Sequence, residues 1–258
     1  MAGVNVDMRV LRIELNGTVT SFRYPHIHLG RQPSYPMPPP ATIYGHVSSA
    51  LGELVNRSAA RFAYSFTCAG KGDDLELIYV TNVASGRLDK AWGHTKNIEA
   101  QTNVLPREVL LHPRLTLYLD AGDRTEEWFQ AFRSPTFPVL LGRSQDLAAY
   151  RSVEMLETEQ REFGYFESTL LPWSLRDRLP DGVTFQMPKF IDPDARRKVD
   201  WDRYVVLDRR IWWPSPEALS PKGARLALRQ QVDGPVWIDP KSPLWGPGHQ
   251  IISWHSWE

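Results

Sequence analysis

The sequence predicts an α+β fold in which strands predominate. Stretches of strict apolar/polar alternation, such as Leu11, Ile13 and Leu15, mark strands buried on one face. A helical spacing of Ile43, Val47, Ala50, Leu51, Leu54 and Val55 follows a run of prolines and marks an amphipathic helix. No apolar run reaches the ~20 residues that would span a membrane.

In chain order, residues 6–15 read as a half-buried strand that exits at the Asn16-Gly17 turn signal. Residues 20–41 read as loop, broken by Pro25, Pro33 and Pro36, and the helix is expected over about 42–57 with Thr42 as its N-cap. Phe62, Tyr64, Phe66 and Cys68 alternate as a second strand. Gly70 to Asp74 should turn the chain, with Leu75, Leu77 and Tyr79 opening its hairpin partner. Residues 82–107 are polar without a sustained period, which reads as a surface excursion. Leu115, Leu117 and Leu119 mark a further strand, broken at Gly122-Asp123. Thr125 is a candidate cap for a short helix with Glu126 and Glu127 in its first turn and Trp128, Phe129 and Phe132 facing inward. Ser134-Pro135 stops it, and Phe137 to Leu141 reads as an apolar strand ending at Gly142-Arg143.

Strand-helix-strand, an insertion, then strand-helix-strand is the ferredoxin-like order, shared with RRM-like RNA-recognition folds. Residues 1–150 are assigned to that domain, with the insertion at about 82–107. Residues 151–258 form a smaller β-rich extension packed on it. Its strand candidates are Val153 to Leu156, Tyr204 to Leu207 and Val236 to Asp239, with Trp212, Trp213, Trp237 and Trp245 as packing anchors.

Lys plus Arg and Asp plus Glu number 30 each. That balance argues against a protein that coats nucleic acid through bulk positive charge, though not against a local basic groove. The single cysteine, Cys68, excludes an intramolecular disulfide and a cysteine zinc cluster. The N-terminus lacks a basic segment followed by an apolar one, so a cytoplasmic location without membrane attachment is expected.

The stretch Tyr35 to Glu53, YPMPPPATIYGHVSSALGE, carries the most information. A stiff proline approach ends in a helix start bearing Tyr44, Gly45 and His46. A helix start suits a phosphate, and Gly45 would admit a backbone or a base at close range. On spacing alone, a proline-punctuated loop before a core helix is the favoured reading of the stretch.

Thr20-Ser21-Phe22-Arg23, Pro36 to Pro40, then Thr42, Tyr44, Gly45, Leu51, Gly52 and Glu53 resemble the N-terminal signature of the CRISPR-associated Cas five family of the RAMP superfamily. Leu140-Leu141-Gly142-Arg143-Ser144-Gln145-Asp146 resembles the turn that follows the last strand of the first domain in that family. Gly142 would permit a sharp turn, and Arg143 offers a fork of donors to a phosphate or a base edge. From composition alone, Arg143 paired with Asp146 is an equal reading.

The resemblance implies a non-catalytic Cascade subunit, closest in motif to type I-B members, that caps the 5′ handle of the guide crRNA in antiviral defence. Carried over residue by residue, the RNA-binding candidates are Ser21, Arg23, Thr42, Tyr44, Gly45, His46, Gly142, Arg143 and Ser144. The insertion falls where the family carries a protruding hairpin or thumb, so the resemblance implies a thumb-like β insertion, for which Arg87, Lys90, Trp92, His94, Lys96, Asn97 and Arg107 are candidates. The implied partners are the crRNA, a backbone subunit of the Cas seven family, a large subunit of the Cas eight family, and target DNA through the complex.

Two other classes stay open: a metal-independent endoribonuclease that processes repeat RNA, and a protein-interaction scaffold with incidental RNA contact. Tyr44, His46, His94, Lys96 and His112 have chemistry suited to the first. The Tyr–Lys–His set of the guide-processing branch is not found at matching spacing, and no adjacent Lys-His pair occurs. His26, His28 and His46 lack a carboxylate at a familiar metal-site spacing, so no metal or cofactor is expected. The basic group Arg196, Arg197, Lys198, Arg203, Arg209 and Arg210 is interleaved with aspartates and reads as solvated surface.

Overall fold

The alternation at the N-terminus becomes β1 (Met8–Gly17), whose Leu11, Ile13 and Leu15 are fully buried. The structure, a computed structural model, describes residues 8–27, 30–83, 98–179, 181–195, 198–213 and 235–258. Over these residues the chain is a mixed, strand-dominated α+β fold.

β1 lies between two antiparallel neighbours. β6 (Arg114–Asp120) pairs Leu119 with Leu11, and β7 (Ala148–Arg161) pairs Val153 with Ile13. β3 (Arg61–Thr67) pairs with the other edge of β6. α1 (Pro40–Leu51) links β1 toward β3, and α2 (Thr125–Arg133) links β6 toward β7. β2 (Val19–Thr20), β4 (Gly70–Val83) and β5 (Ile98–Leu111) form a separate three-stranded ribbon in the order β2-β5-β4. The remaining strands are β8 (Gly164–Phe166), β9 (Thr169–Pro172), β10 (Val183–Ile191), β11 (Val199–Leu207), β12 (Ile211–Trp213), β13 (Val236–Asp239) and β14 (Gln250–Ile251). They join the same sheet, whose order is β10-β11-β9-β3-β6-β1-β7-β13-β14-β8-β12. Position 150/151 falls inside β7, which pairs with β1 and with β13.

Leu11, Ile13 and Leu15 share one buried cluster with Phe62, Tyr64 and Phe66 of β3, Ile43 and Val47 of α1, and Trp128 and Phe132 of α2. Burying each such side chain contributes roughly 1.5–3 kcal/mol, which anchors both helices.

Several expectations are corrected. Helix α1 starts at Pro40 with Pro39 at the N-cap, so Thr42 lies inside the first turn. Proline at the first helical position has its φ pre-set and needs no N–H there, so the proline run starts the helix early. The helix ends at Gly52, left-handed at φ 77°, which leaves Leu54 beyond it and 62% exposed. Gly70 to Asp74 do not turn the chain. They open β4, which leaves β3 and pairs with β5 residue for residue from Gly70↔Leu111 to Val83↔Ile98. The last fourteen residues of the apparent excursion and its flank are thus strand, held by ladder hydrogen bonds rather than by apolar period. Phe137 to Leu141 is not a strand. Pro138 interrupts the run, Phe137 is 54% exposed, and one bridge, Leu140↔Leu147, closes the segment as a tight loop.

Thr125 opens α2 as its first residue and donates its hydroxyl to the Gly122 carbonyl at 2.7 Å, with Arg124 at the cap. Trp213 is buried, Trp237 packs on Val10 and Leu156, and Trp212 stacks on Trp245 at 4.6 Å. The sequence reading missed Trp257. It is fully buried, stacks on Phe62 at 4.5 Å and donates its indole N–H to the Pro40 carbonyl at 3.0 Å. The C-terminal segment therefore underpins the first residue of α1.

Candidate nucleic-acid interface

Three segments meet at one cleft. The first is residues 20–23, which leave β2. Ser21 donates to the Glu108 carbonyl of β5 at 2.8 Å, and the Phe22 N–H donates to Ser34 Oγ at 2.9 Å. The second is the 140–147 loop. Its Leu141 N–H donates to the Asp146 carbonyl at 3.0 Å, and the Arg143 N–H donates to Asp146 Oδ2 at 3.0 Å. Thr20 ties the two segments through a hydroxyl hydrogen bond to the Leu141 carbonyl. The third is the start of α1.

Gly142 explains why the loop closes. Its φ is 95°, and a Cβ there would stand 2.4 Å from Thr20 Oγ1 and 2.9 Å from the Ser21 carbonyl. Only glycine fits both the conformation and the space.

The cleft has a volume of about 360 Å³. Ser21, Arg23, Thr42, Arg107, Gly142 and Arg143 line it, with Pro39, Pro188 and Ile191 as apolar walls. Of the RNA-binding candidates, five come together here. Arg107, taken as part of the insertion, joins them on the floor.

The three arginines are not equivalent. Arg143 directs its fork to Asp146, at 2.9 Å from Nη2, and reaches Asp74 at 3.2 Å from Nη1. Burial alone would lower its pKa, but the bonds to Asp146 and Asp74 reverse that and raise it. Arg107 is buried and paired with Glu76. Arg23 is exposed and makes no ion pair or side-chain hydrogen bond among the described residues. A carboxylate already satisfies the geometry of a bidentate Arg143, so the cation available to a phosphate at the mouth is Arg23.

The helix start offers fewer donors than a typical one. Pro39 and Pro40 have no N–H, and the N–H groups of Thr42 and Ile43 go to the Pro39 carbonyl at 2.8 and 3.3 Å. The Ala41 N–H remains, beside the Thr42 hydroxyl.

Tyr44 and His46 point away from the cleft. Tyr44 is buried edge-on to Phe190 and Trp257, and its hydroxyl donates to the Val55 carbonyl at 2.6 Å. His46 Nδ1 lies 2.9 Å from the Leu140 carbonyl, and Nε2 lies 2.9 Å from the Tyr150 hydroxyl. Burial lowers its pKa, so the ring is neutral, donating from Nδ1 and accepting at Nε2. It thereby bolts the 140–147 loop to α1. Gly45, between them, is exposed with open space where a side chain would be. Ser144 is exposed on the loop but outside the cleft lining.

His26 is exposed, edge-on to Tyr24, and no cluster of three metal-ligating side chains occurs among the described residues. His28, Arg87, Lys90, Trp92, His94, Lys96, Asn97, Arg196 and Arg197 lie outside the described residues. The sequence reading held Thr20 only as part of the resembling motif and missed Asp74, Glu76 and Glu108 as residues that organise the site. Arg107 could have been placed correctly: Leu105, Arg107 and Val109 alternate as one buried face of β5.

A family model described as CRISPR-associated protein (Cas_Cas5) matches residues 10–212. The chain belongs to the Cas five family. Its match begins in β1 and ends in β12, so every cleft residue lies within it, while the Trp257 support lies beyond it. A search of curated proteins finds no match. Among solved structures, a chain described as "CRISPR RNA-guided surveillance complex" is similar at 13% identity and a TM-score of 0.51, over 79% of this chain and 91% of that one. At that identity the likeness concerns the fold. A "CRISPR protein from Archaeoglobus fulgidus" is similar at 10% identity and a TM-score of 0.39, over 78% of this chain and 86% of that one.

Proposed function

We propose that this Cas five family chain is a non-catalytic subunit of a CRISPR effector complex and that its cleft holds the 5′ handle of the guide RNA. The observation that carries the reading is Arg23, without an ion pair among the described residues, at the mouth of a cleft whose other arginines are held by carboxylates. Arg23, the Ala41 N–H and the Ser21–Thr42 wall would take phosphates, which position the strand without reading its sequence. Gly45 would admit the backbone or a base at close range. The Gly142 loop, with Arg143 locked in it and Ser144 at its rim, would form the opposing wall. Tyr44 and His46 act from below, as supports.

The finer reading of the fold goes with this function. Two β-α-β passages and the neighbour order β3-β6-β1-β7 support a ferredoxin-like core. The β4-β5 ribbon supports a thumb reaching toward a Cas seven backbone subunit, with a Cas eight large subunit as the other neighbour and target DNA bound through the assembly. The occupied Tyr44 hydroxyl and the buried neutral His46 support the absence of catalysis.

Arg23→Ala tests the reading. Binding of labelled handle RNA to the purified chain should weaken several-fold, and the slope of log K against log salt should fall by about 0.7, one single-strand phosphate contact. An unchanged affinity and slope would remove Arg23 and the cleft mouth from the RNA path.

A further inference from the structure

The open face of the central sheet carries a second basic site, distinct from the cleft. We propose that this shelf binds the phosphodiester backbone of a single-stranded nucleic acid without reading its bases. It is a depression of about 500 Å³ across β3, β6, β1 and β7, on the face turned away from α1. Arg114 and Arg151 stand in it among Asn16, Ser65, Thr67 and Thr116.

Both arginines are exposed, and neither makes an ion pair or side-chain hydrogen bond among the described residues. The one acid in the depression, Glu14, is paired with Arg12 at 2.8 Å. Arg12 is shared with Glu154 and Asp239, so Glu14 is only partly offset and the lining carries two positive charges against one negative.

A backbone irregularity puts the second charge there. β7 pairs Ser152 with Glu14 and Tyr150 with Leu15, so Arg151 is the extra residue of a β-bulge. Tyr150 and Val153 pack on the helix side. Regular alternation cannot place both inward, so Arg151 and Ser152 share the open face. Bulges commonly re-aim a side chain in this way. Arg114 sits on β6 and Arg151 on β7 with β1 between them, so their backbones are roughly 10 Å apart, two strand spacings.

The lining decides the ligand class. Arginines alternating with hydroxyls and an amide are the groups that contact phosphate and sugar. A protein partner would want a buried apolar anchor, but Phe66 and Leu115 face the core at 4% and 2% exposure. Among the described residues the depression offers no exposed aromatic ring for stacking, so bases are not read.

The test is fluorescence anisotropy of a labelled twelve-residue oligouridine with the purified full chain across salt concentrations. Arg114→Ala with Arg151→Ala should weaken binding at least five-fold and lower the salt slope by about 1.4, two single-strand phosphates. Arg114→Lys with Arg151→Lys should retain most of the affinity. The same decrement should appear in an Arg23→Ala background, which separates the shelf from the cleft. Equal affinity and slope for wild type and the double alanine variant, with unchanged thermal melting, would overturn the proposal. So would selective loss of binding to a labelled oligoglutamate peptide, which would assign the shelf to an acidic protein segment.

Discussion

Two glycines, Gly142 in the cleft lining and Gly45 on α1 outside it, make opposite demands. Gly142 is strained for any other residue and closely packed, whereas Gly45 is helical, exposed and open. Gly142→Ala should cost on the order of 2 kcal/mol of stability by urea unfolding, from the left-handed backbone and the clash with Thr20. Gly45→Ala should instead stabilise the chain by up to about 1 kcal/mol, since glycine is a poor helix former. If Gly45 admits RNA, the same substitution weakens handle binding despite the gain; a stabler variant with undiminished binding would remove Gly45 from the interface. His46 and His255 set the acid limit. Both are buried, which lowers their pKa, to about 4 for His255, where the hydrogen bond to the Leu170 carbonyl opposes the shift only in part. The unfolded chain takes up these protons near pH 6.5 while the folded chain does not, so their contribution is complete above pH 6.5 and is lost as pH falls toward 4. Urea midpoints should drop steadily across that window, and His255→Gln should flatten the drop.

At the scale of elements, what the sequence made legible followed period and punctuation. β1, β3, β6 and β13 and both helices were visible because one face of each is apolar and a breaker follows. The boundaries of α1 were misplaced because Pro40 starts the helix and Gly52 stops it, two backbone effects that outweigh the apolar spacing through Val55. Most of β5 was hidden because it is held by pairing with β4, and only the alternation of Leu105, Arg107 and Val109 near its end gives a local signal. The Phe137 to Leu141 run mimicked a strand by composition alone. The cleft was partly legible: Ser21, Arg23, Thr42, Gly142 and Arg143, singled out in the sequence, come together in it, and the pairing of Arg143 with Asp146 was one of two equal readings, whereas the contact of Arg143 with Asp74 needs coordinates. The support of α1 by Trp257 is a contact over 217 residues and had no sequence signal. Trp257→Ala should cost about 3–5 kcal/mol, the range for large aromatic truncations. Handle binding should fall with it because Pro40 loses its anchor, and Trp257→Phe should restore stability more than binding; equal recovery of both would reduce Trp257 to a packing residue.

At the scale of the whole molecule, one eleven-stranded sheet runs from the core strands into the C-terminal strands. A buried polar contact reinforces it: Asp239 of β13, fully buried, accepts from Arg12 of β1 at 3.0 Å and from the Tyr118 hydroxyl of β6 at 2.7 Å. The cleft inherits its rigidity from that frame, since β7 reaches it through Tyr150 and His46, and the C-terminal segment reaches it through Trp257 and Pro40. Preorganisation of this kind would let the cleft hold a strand in one shape. The most direct measurement is metal-free incubation of the purified chain, alone and with its complex partners, with end-labelled repeat RNA, scored on one gel for retention and for cleavage. The account predicts that the 5′ handle fragment is retained and that this chain does not cut the RNA. Failure to retain the handle even within the complex, or a discrete cut leaving a cyclic phosphate, would contradict it.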